Sequence, residues 1–291
     1  MDHFTSGWLA QRESADAEGR SSYLTRVVSD RLASETALHA LDIATGSGAN
    51  VRYLIEHLPP HQSWLLVDVD PVLLGEVPAR MRSWGARNRL NVTTLSNGLL
   101  LRGEQLNCRL VTSLMDVATD LDKRGAGIFS GCRFVTASAL LDLVSERWLH
   151  ALARRCHQAG AVVLFALSYD GRIDCSPKEP EDPLIQNLVN AHHQTDRGFG
   201  PALGTTASVS AAECLAGLGY DVLREPSDWI LGPDRRELQQ QLIDRWADAA
   251  VSLAPGRSAV IRSWQARRLA HVSAGHSRLI VGHQDVAGWL A

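Results

Sequence analysis

The sequence predicts an α/β protein, a mostly parallel sheet with helices on both faces, and three features carry that prediction. Strand-length apolar runs alternate with helical stretches from about residue 38 to 168. The first run, "ALHALDIA", enters the turn "TGSG" and then a helical pattern. An acid ends the second run, at Asp68, and another follows the third, at Asp116, on the sheet edge where ligands of open parallel sheets bind.

With 291 residues, 45% of them hydrophobic, and a net charge of −3, the chain has the composition of an ordinary folded domain. The expected organisation is an N-terminal helical cap over residues 1–36 and one main domain over 37–291, with residues 170–205 inserted as a lid. No apolar run reaches the ~18–20 residues that span a bilayer, and the start lacks the layout of a signal peptide, so a soluble, cytoplasmic protein is expected. The five cysteines are scattered without a CxxC pair, which argues for reduced thiols and against disulfides or zinc. Only Lys123 and Lys178 among the 29 basic residues are lysines, a bias of genome composition; with no global basic footprint, nucleic acid is not an expected partner.

In chain order, Leu24, Val27, Val28 and Leu32 mark an amphipathic helix, preceded by a polar segment anchored by Trp8 and Leu9. "ALHALDIA", "SWLLVDV", "CRLVTSL", "CRFVTAS" and "AVVLFALSY" are the first five strands of the parallel set. Asn97-Gly98 predicts a hairpin inserted before the third. Leu140, Val144, Trp148 and Leu152 recur every four residues and predict a helix before the fifth. "DGRIDCSPKEPEDP" reads as turn-rich, "LIQNLVNAHHQ" as helical, and two further strands lie in "GYDVLREPSDWIL" and "SRLIVGHQDVAGW".

Gly46 and Gly48 let the turn approach a ligand closely; the same residues also fit a tight loop that holds nothing. Asp68, 20 residues beyond Gly48, suits the hydroxyls of a ribose, and Asp116 an adenine amino group. A dinucleotide fingerprint needs a third glycine where this chain has Val51, and Asp42 in the first strand fits an ammonium group better than a pyrophosphate.

On these residues, "LDIATGSGANV" resembles motif I of the class I S-adenosylmethionine-dependent methyltransferases, with Ala44 in place of the first glycine. The resemblance spans about residues 38–168 and implies a Rossmann-like seven-stranded mostly parallel sheet whose last strand is antiparallel. It further implies S-adenosylmethionine as cofactor. Asp42 and the backbone of Gly46, Ser47 and Gly48 would hold its methionine part, with Ala44, Thr45 and Asn50 also cofactor-binding, Asp68 the ribose, and Val69, Asp116 and Val117 the adenine. Ala137 and Ser138 would lie near the sulfonium, and Asp70, before Pro71, would cap a helix.

For the acceptor, His193 is the candidate base, with His192 beside it; loop packing is the plainer reading of both. Tyr169, Asp170 and Arg197 are candidate acceptor contacts, with an Asp196 to Arg197 pair as the alternative. Trp229 reads as a pocket wall or as core, and Arg12 and Arg20 as cofactor-carboxylate ligands or as surface arginines. No metal site is expected. The expected activity is methyl transfer to an oxygen or nitrogen of a small-molecule acceptor, with protein methylation the weaker option; "TASALL" after the fourth strand does not resemble the Asn-Pro-Pro-Tyr type signature of some amino-methylating enzymes, which disfavours adenine or glutamine amide chemistry. A nicotinamide-dependent oxidoreductase and a non-catalytic cofactor-binding protein are the alternatives. Oligomeric state is not legible.

Overall fold

The computed structural model describes residues 5–291, apart from the side chains of residues 122–126. Two helices come first, α1 (Ser6–Gly19) and α2 (Ser22–Leu32), followed by β1 (Leu38–Ile43), α3 (Ala49–Ile55), β2 (His61–Asp68) and α4 (Pro71–Arg87). An antiparallel hairpin, β3 (Asn91–Leu95) and β4 (Gly98–Arg102), leads to β5 (Asn107–Leu114), α5 (Val117–Phe129), β6 (Phe134–Ser138), α6 (Glu146–Ala159) and β7 (Val162–Ser176). The remainder is α7 (Asp182–His193), α8 (Ala207–Gly217), β8 (Asp221–Pro226), β9 (Trp229–Leu231), α9 (Arg236–Leu253), α10 (Ser258–Ser273) and β10 (Arg278–Trp289).

All ten strands join one sheet, in the order β3-β4-β5-β2-β1-β6-β7-β10-β8, with β9 paired to β10. The stretch from β5 to β8 is the expected seven-stranded core: β1, β2, β5, β6 and β7 run parallel, and β10 inserts antiparallel between β7 and β8. The hairpin and β9 are additions to it. Alternation along β1 explains why the sheet needs cover on both sides. Leu41 and Ile43 pack with α5, α6 and α8, while Leu38 and Ala40 pack with α2, α3 and α4. Leu24, Val28 and Leu32 of α2 are fully buried in that second layer, each worth about 1.5–3 kcal/mol. A third apolar cluster joins Trp8 and Ala15 of α1 to α7, α9 and α10.

Three local expectations are corrected. The helix after β6 begins at Glu146, not Leu140, because Ser145 caps it by accepting from the Trp148 N–H at 3.4 Å, and Leu141–Leu143 form a separate 3₁₀ turn. "DGRIDCS" is not turn but the continuation of β7, held by antiparallel pairing of Ile173–Ser176 with Arg278–Val281 across bulges in β10. In the hairpin, Leu95 pairs with Gly98, so the loop is Ser96-Asn97, one residue earlier than expected. Gly98 (φ +149°) lies against β5, where an added Cβ would stand 2.0 Å from the Leu110 carbonyl oxygen.

Candidate functional site

A cavity of about 810 Å³ opens over the carboxyl ends of β1, β2, β6 and β7, with α1 as its roof. Three ties fasten that roof to the sheet. Arg52 of α3 donates to both carboxylate oxygens of Glu13 (2.6 and 2.8 Å) and to the Ser47 carbonyl (2.8 Å), clamping α1 to the glycine turn. Ser6 donates to Glu76 of α4 at 2.6 Å, and the Trp229 indole N–H donates to Asp16 at 3.1 Å. Gly46 (φ +54°) lies directly beneath, where an added Cβ would stand 3.2 Å from Leu9 Cδ1.

Strain collects around this mouth. Ala44, Ala139 and Leu167, which follow or end strand segments and line the cavity, hold left-handed φ values of 54°, 52° and 56°. Each costs a non-glycine residue about 1–2 kcal/mol, and such residues concentrate at functional sites. Ala44 thus adopts the conformation that a glycine takes freely. The Leu167 N–H is held by buried Asp285 at 2.7 Å, whose other oxygen accepts from the Ser21 N–H at 3.0 Å, so one carboxylate joins β7 to the start of α2.

The turn "TGSG" uses most of its own amides. The Thr45 N–H donates to Val67 O, the Gly46 N–H to Asp68 Oδ2 at 2.7 Å, and the Gly48 N–H to Thr45 O. Asp68 also accepts from the Asp70 N–H at 2.9 Å, and burial raises its pKa above the ordinary carboxylate value. Asp70 caps α4 as expected, accepting from Val72 and Leu73. Asp116 caps α5 in the same way, through Ala118 N–H at 3.0 Å, while its second oxygen accepts from Thr119. Val69, 44% exposed beside Asp68, and buried Val117 present apolar surface to the cavity.

Asp42 is placed differently from the sequence reading. It is fully buried beneath the cavity, with one oxygen accepting from the Thr45 hydroxyl and the other from the Asn50 amide at 2.6 Å. Burial pushes its pKa up to about 6, against the lowering effect of those two hydrogen bonds and of Arg20. Asn50 in turn accepts from Arg20 Nη1 at 2.6 Å. Arg20 is therefore no surface residue: it is 6% exposed, lies over the Tyr53 ring at 4.4 Å, and its Nε and Nη2 have no hydrogen-bond partner among the described residues.

Of the residues singled out in the sequence, Ala44, Thr45, Gly46, Ser47, Asn50, Asp68, Val69, Asp116, Val117 and Ser138 line the cavity, as do Tyr169, His192, His193, Arg197 and Trp229. Four do not. Asp42 is covered by Thr45 and Asn50; Gly48 (φ +83°) is the N-cap of α3, packed towards Met81; and Ala137 is buried inside β6. Asp170 follows cavity-facing Tyr169 on a strand and so turns away; it binds Arg172 through Nε at 2.9 Å and accepts from Gln284. Asp196 accepts from the Gly198 and Gly200 amides at 2.7 and 3.0 Å, a turn-forming role.

The far end of the cavity is aromatic. Tyr169 donates to Asn190 at 2.8 Å, stays protonated because burial raises its pKa, and packs against His193 in a tilted arrangement with centroids 4.7 Å apart. His193 Nδ1 lies 3.5 Å from Asp142, a buried acid whose Oδ1 has no partner among the described residues. Asp142 and His283 are lining residues that the sequence reading missed. Neither carries a local signal: Asp142 sits in the 3₁₀ turn read as helix, and His283 lies mid-strand with no motif around it.

No protein-family model and no curated protein matches the chain. Solved structures do. A methyltransferase from Geobacter sulfurreducens in complex with S-adenosylhomocysteine is similar at 12% identity, covering 100% of both chains, with a TM-score of 0.46. One from Thiobacillus denitrificans, also with S-adenosylhomocysteine, is similar at 14% identity over 100% of both chains, TM-score 0.46. The cyclopropane synthase MmaA2 of Mycobacterium tuberculosis is 10% identical, with 91% of this chain and 82% of that chain covered and a TM-score of 0.44. The seven-stranded core and the antiparallel insertion of β10 are those the sequence resemblance implied, and the chain has a Rossmann-like α/β fold.

Proposed function

We propose that this protein binds S-adenosylmethionine across the strand ends and transfers its methyl group to an oxygen or nitrogen of a small-molecule acceptor. The observation that carries the reading is Arg20: a buried guanidinium with two unpartnered nitrogens beside the glycine turn calls for a carboxylate. A methionine moiety supplies one, and its ammonium group falls near the Thr45 and Asn50 side chains that Asp42 orients. Asp68 retains lone pairs for the ribose hydroxyls, Asp116 serves the adenine amino group, and Val69 and Val117 cover the base. When bound, the cofactor supplies an electrophilic methyl group on a sulfonium. The chain's contribution is alignment and exclusion of water, through the α1 roof and the acceptor-side residues 170–205. His193, next to Asp142, is retained as an acceptor contact.

The same geometry argues against a dinucleotide. A pyrophosphate needs turn amides that here already donate to Val67, Asp68 and Thr45, and it would bring two charges beside buried Asp42. Calorimetric titration separates the readings: S-adenosylhomocysteine binds and NAD does not. NAD binding without S-adenosylhomocysteine binding would replace this proposal with an oxidoreductase, and cofactor binding without a methylated product in any extract would leave a binding protein.

A further inference from the structure

β10 crosses the sheet between β7 and β8, and at its bulge it sets His283 against the aromatic end of the cavity. The ring is 6% exposed and sits between Trp229 (centroids 4.9 Å apart) and Tyr169 (6.2 Å). Its Nδ1 lies 3.0 Å from the Val281 carbonyl oxygen, which only accepts, so Nδ1 carries the hydrogen. That fixes Nε2 as the bare nitrogen. Nε2 has no hydrogen-bond partner among the described residues, and the residue lines the cavity.

We propose that His283 Nε2 is the proton acceptor of this site and that the acceptor molecule is an aromatic hydroxyl, a phenol. This rests on the methyl-transfer reading. In the step, the phenol O–H bond breaks, the proton forms a new N–H bond at Nε2, and the electron pair stays on oxygen, giving phenolate and imidazolium. The groups facing the ring hold it in the neutral form that can accept a proton. Burial and the Arg12 guanidinium both lower the pKa of His283, so the ring is neutral and ready to accept at neutral pH, while Asp16 and Asp142 act the other way and stabilise the imidazolium once formed. Asp228 reaches only the His283 backbone N–H, at 3.1 Å, and Tyr169 remains a neutral phenol. A flat acceptor suits walls made of Tyr169, Trp229 and Phe199.

The test uses 4-nitrophenol, whose phenolate is coloured, added to the protein saturated with S-adenosylhomocysteine. The wild type is expected to bind it and to lower its apparent pKa by at least about one unit, a tenfold shift in ionisation. His283→Gln should bind the neutral phenol within about threefold but return its pKa to the free value. A second readout needs no variant: imidazole ¹⁵N shifts should place the free-state proton on Nδ1 and show Nε2 gaining one as the phenolate band appears. Absence of 4-nitrophenol binding, an unchanged pKa shift in His283→Gln, or a ring that gains no proton overturns the proposal. Failure of S-adenosylhomocysteine itself to bind would instead strike the methyl-transfer reading.

Discussion

The two ends of the cavity differ in how far apart in the chain their residues lie. The glycine-turn end is assembled from three short runs, residues 42–50, 68–70 and 116–117, each at the exit of a parallel strand. The aromatic end draws on Trp8, Asp142, Tyr169, His193, Trp229 and His283, which come from five different elements and a 3₁₀ turn. In the first, the backbone path fixes the site, since strand exits and left-handed turns dictate where side chains go. In the second, only tertiary packing brings the groups together, and each side chain is partly occupied with holding the fold. Tyr169 binds Asn190, and Trp229 binds Asp16.

If the backbone fixes the glycine-turn end, disturbing its central acid should have the largest effect. Asp68→Ala removes the acceptor of the Gly46 and Asp70 amides as well as the proposed ribose contact. S-adenosylhomocysteine affinity should fall by about 1–3 kcal/mol, and thermal stability should drop with it, because the two amides lose their partner. Unchanged affinity by calorimetry would remove Asp68 from the site.

A smaller and more diagnostic effect comes from Asp42, whose folded pKa of about 6 lies above its ordinary 3.8. Between those values the native state takes up a proton that the unfolded chain does not, so the free protein becomes more stable as pH falls through 6. Ligand binding should run the opposite way. The ionised carboxylate accepts from Thr45 and Asn50 and keeps Asn50 against Arg20, so affinity for S-adenosylhomocysteine should fall by up to about tenfold per unit below pH 6. Asp42→Asn should flatten both dependences, and a profile that keeps its slope in that variant would assign it to another group.

The same contrast explains what was legible in the sequence. Strand alternation and the acids after β2 and β5 revealed the sheet and the glycine-turn end, because period and turn chemistry are local. Asp70 was readable as a cap from Pro71 alone. Asp170 was misplaced because β7 runs on past Tyr169, and the alternation of that longer strand turns it outward. The onset of α6 was misjudged because apolar spacing carried on through a 3₁₀ turn that also buries its face. His283 had no local mark, lying mid-strand outside any motif, and Arg20 was readable only as a cofactor-carboxylate ligand or a surface arginine, two readings that burial in the folded chain separates.

Arg20 gives the most direct test of the central claim, that an amino-acid carboxylate lies under α1 beside the glycine turn. Calorimetric titration of wild type and Arg20→Met with S-adenosylhomocysteine, and with 5′-methylthioadenosine, which lacks the amino-acid part, isolates that contact. The variant should lose roughly 10- to 100-fold for S-adenosylhomocysteine, the cost of a charged hydrogen-bond pair, while 5′-methylthioadenosine stays within about twofold. Equal losses for both ligands, or no loss for either, would contradict the account.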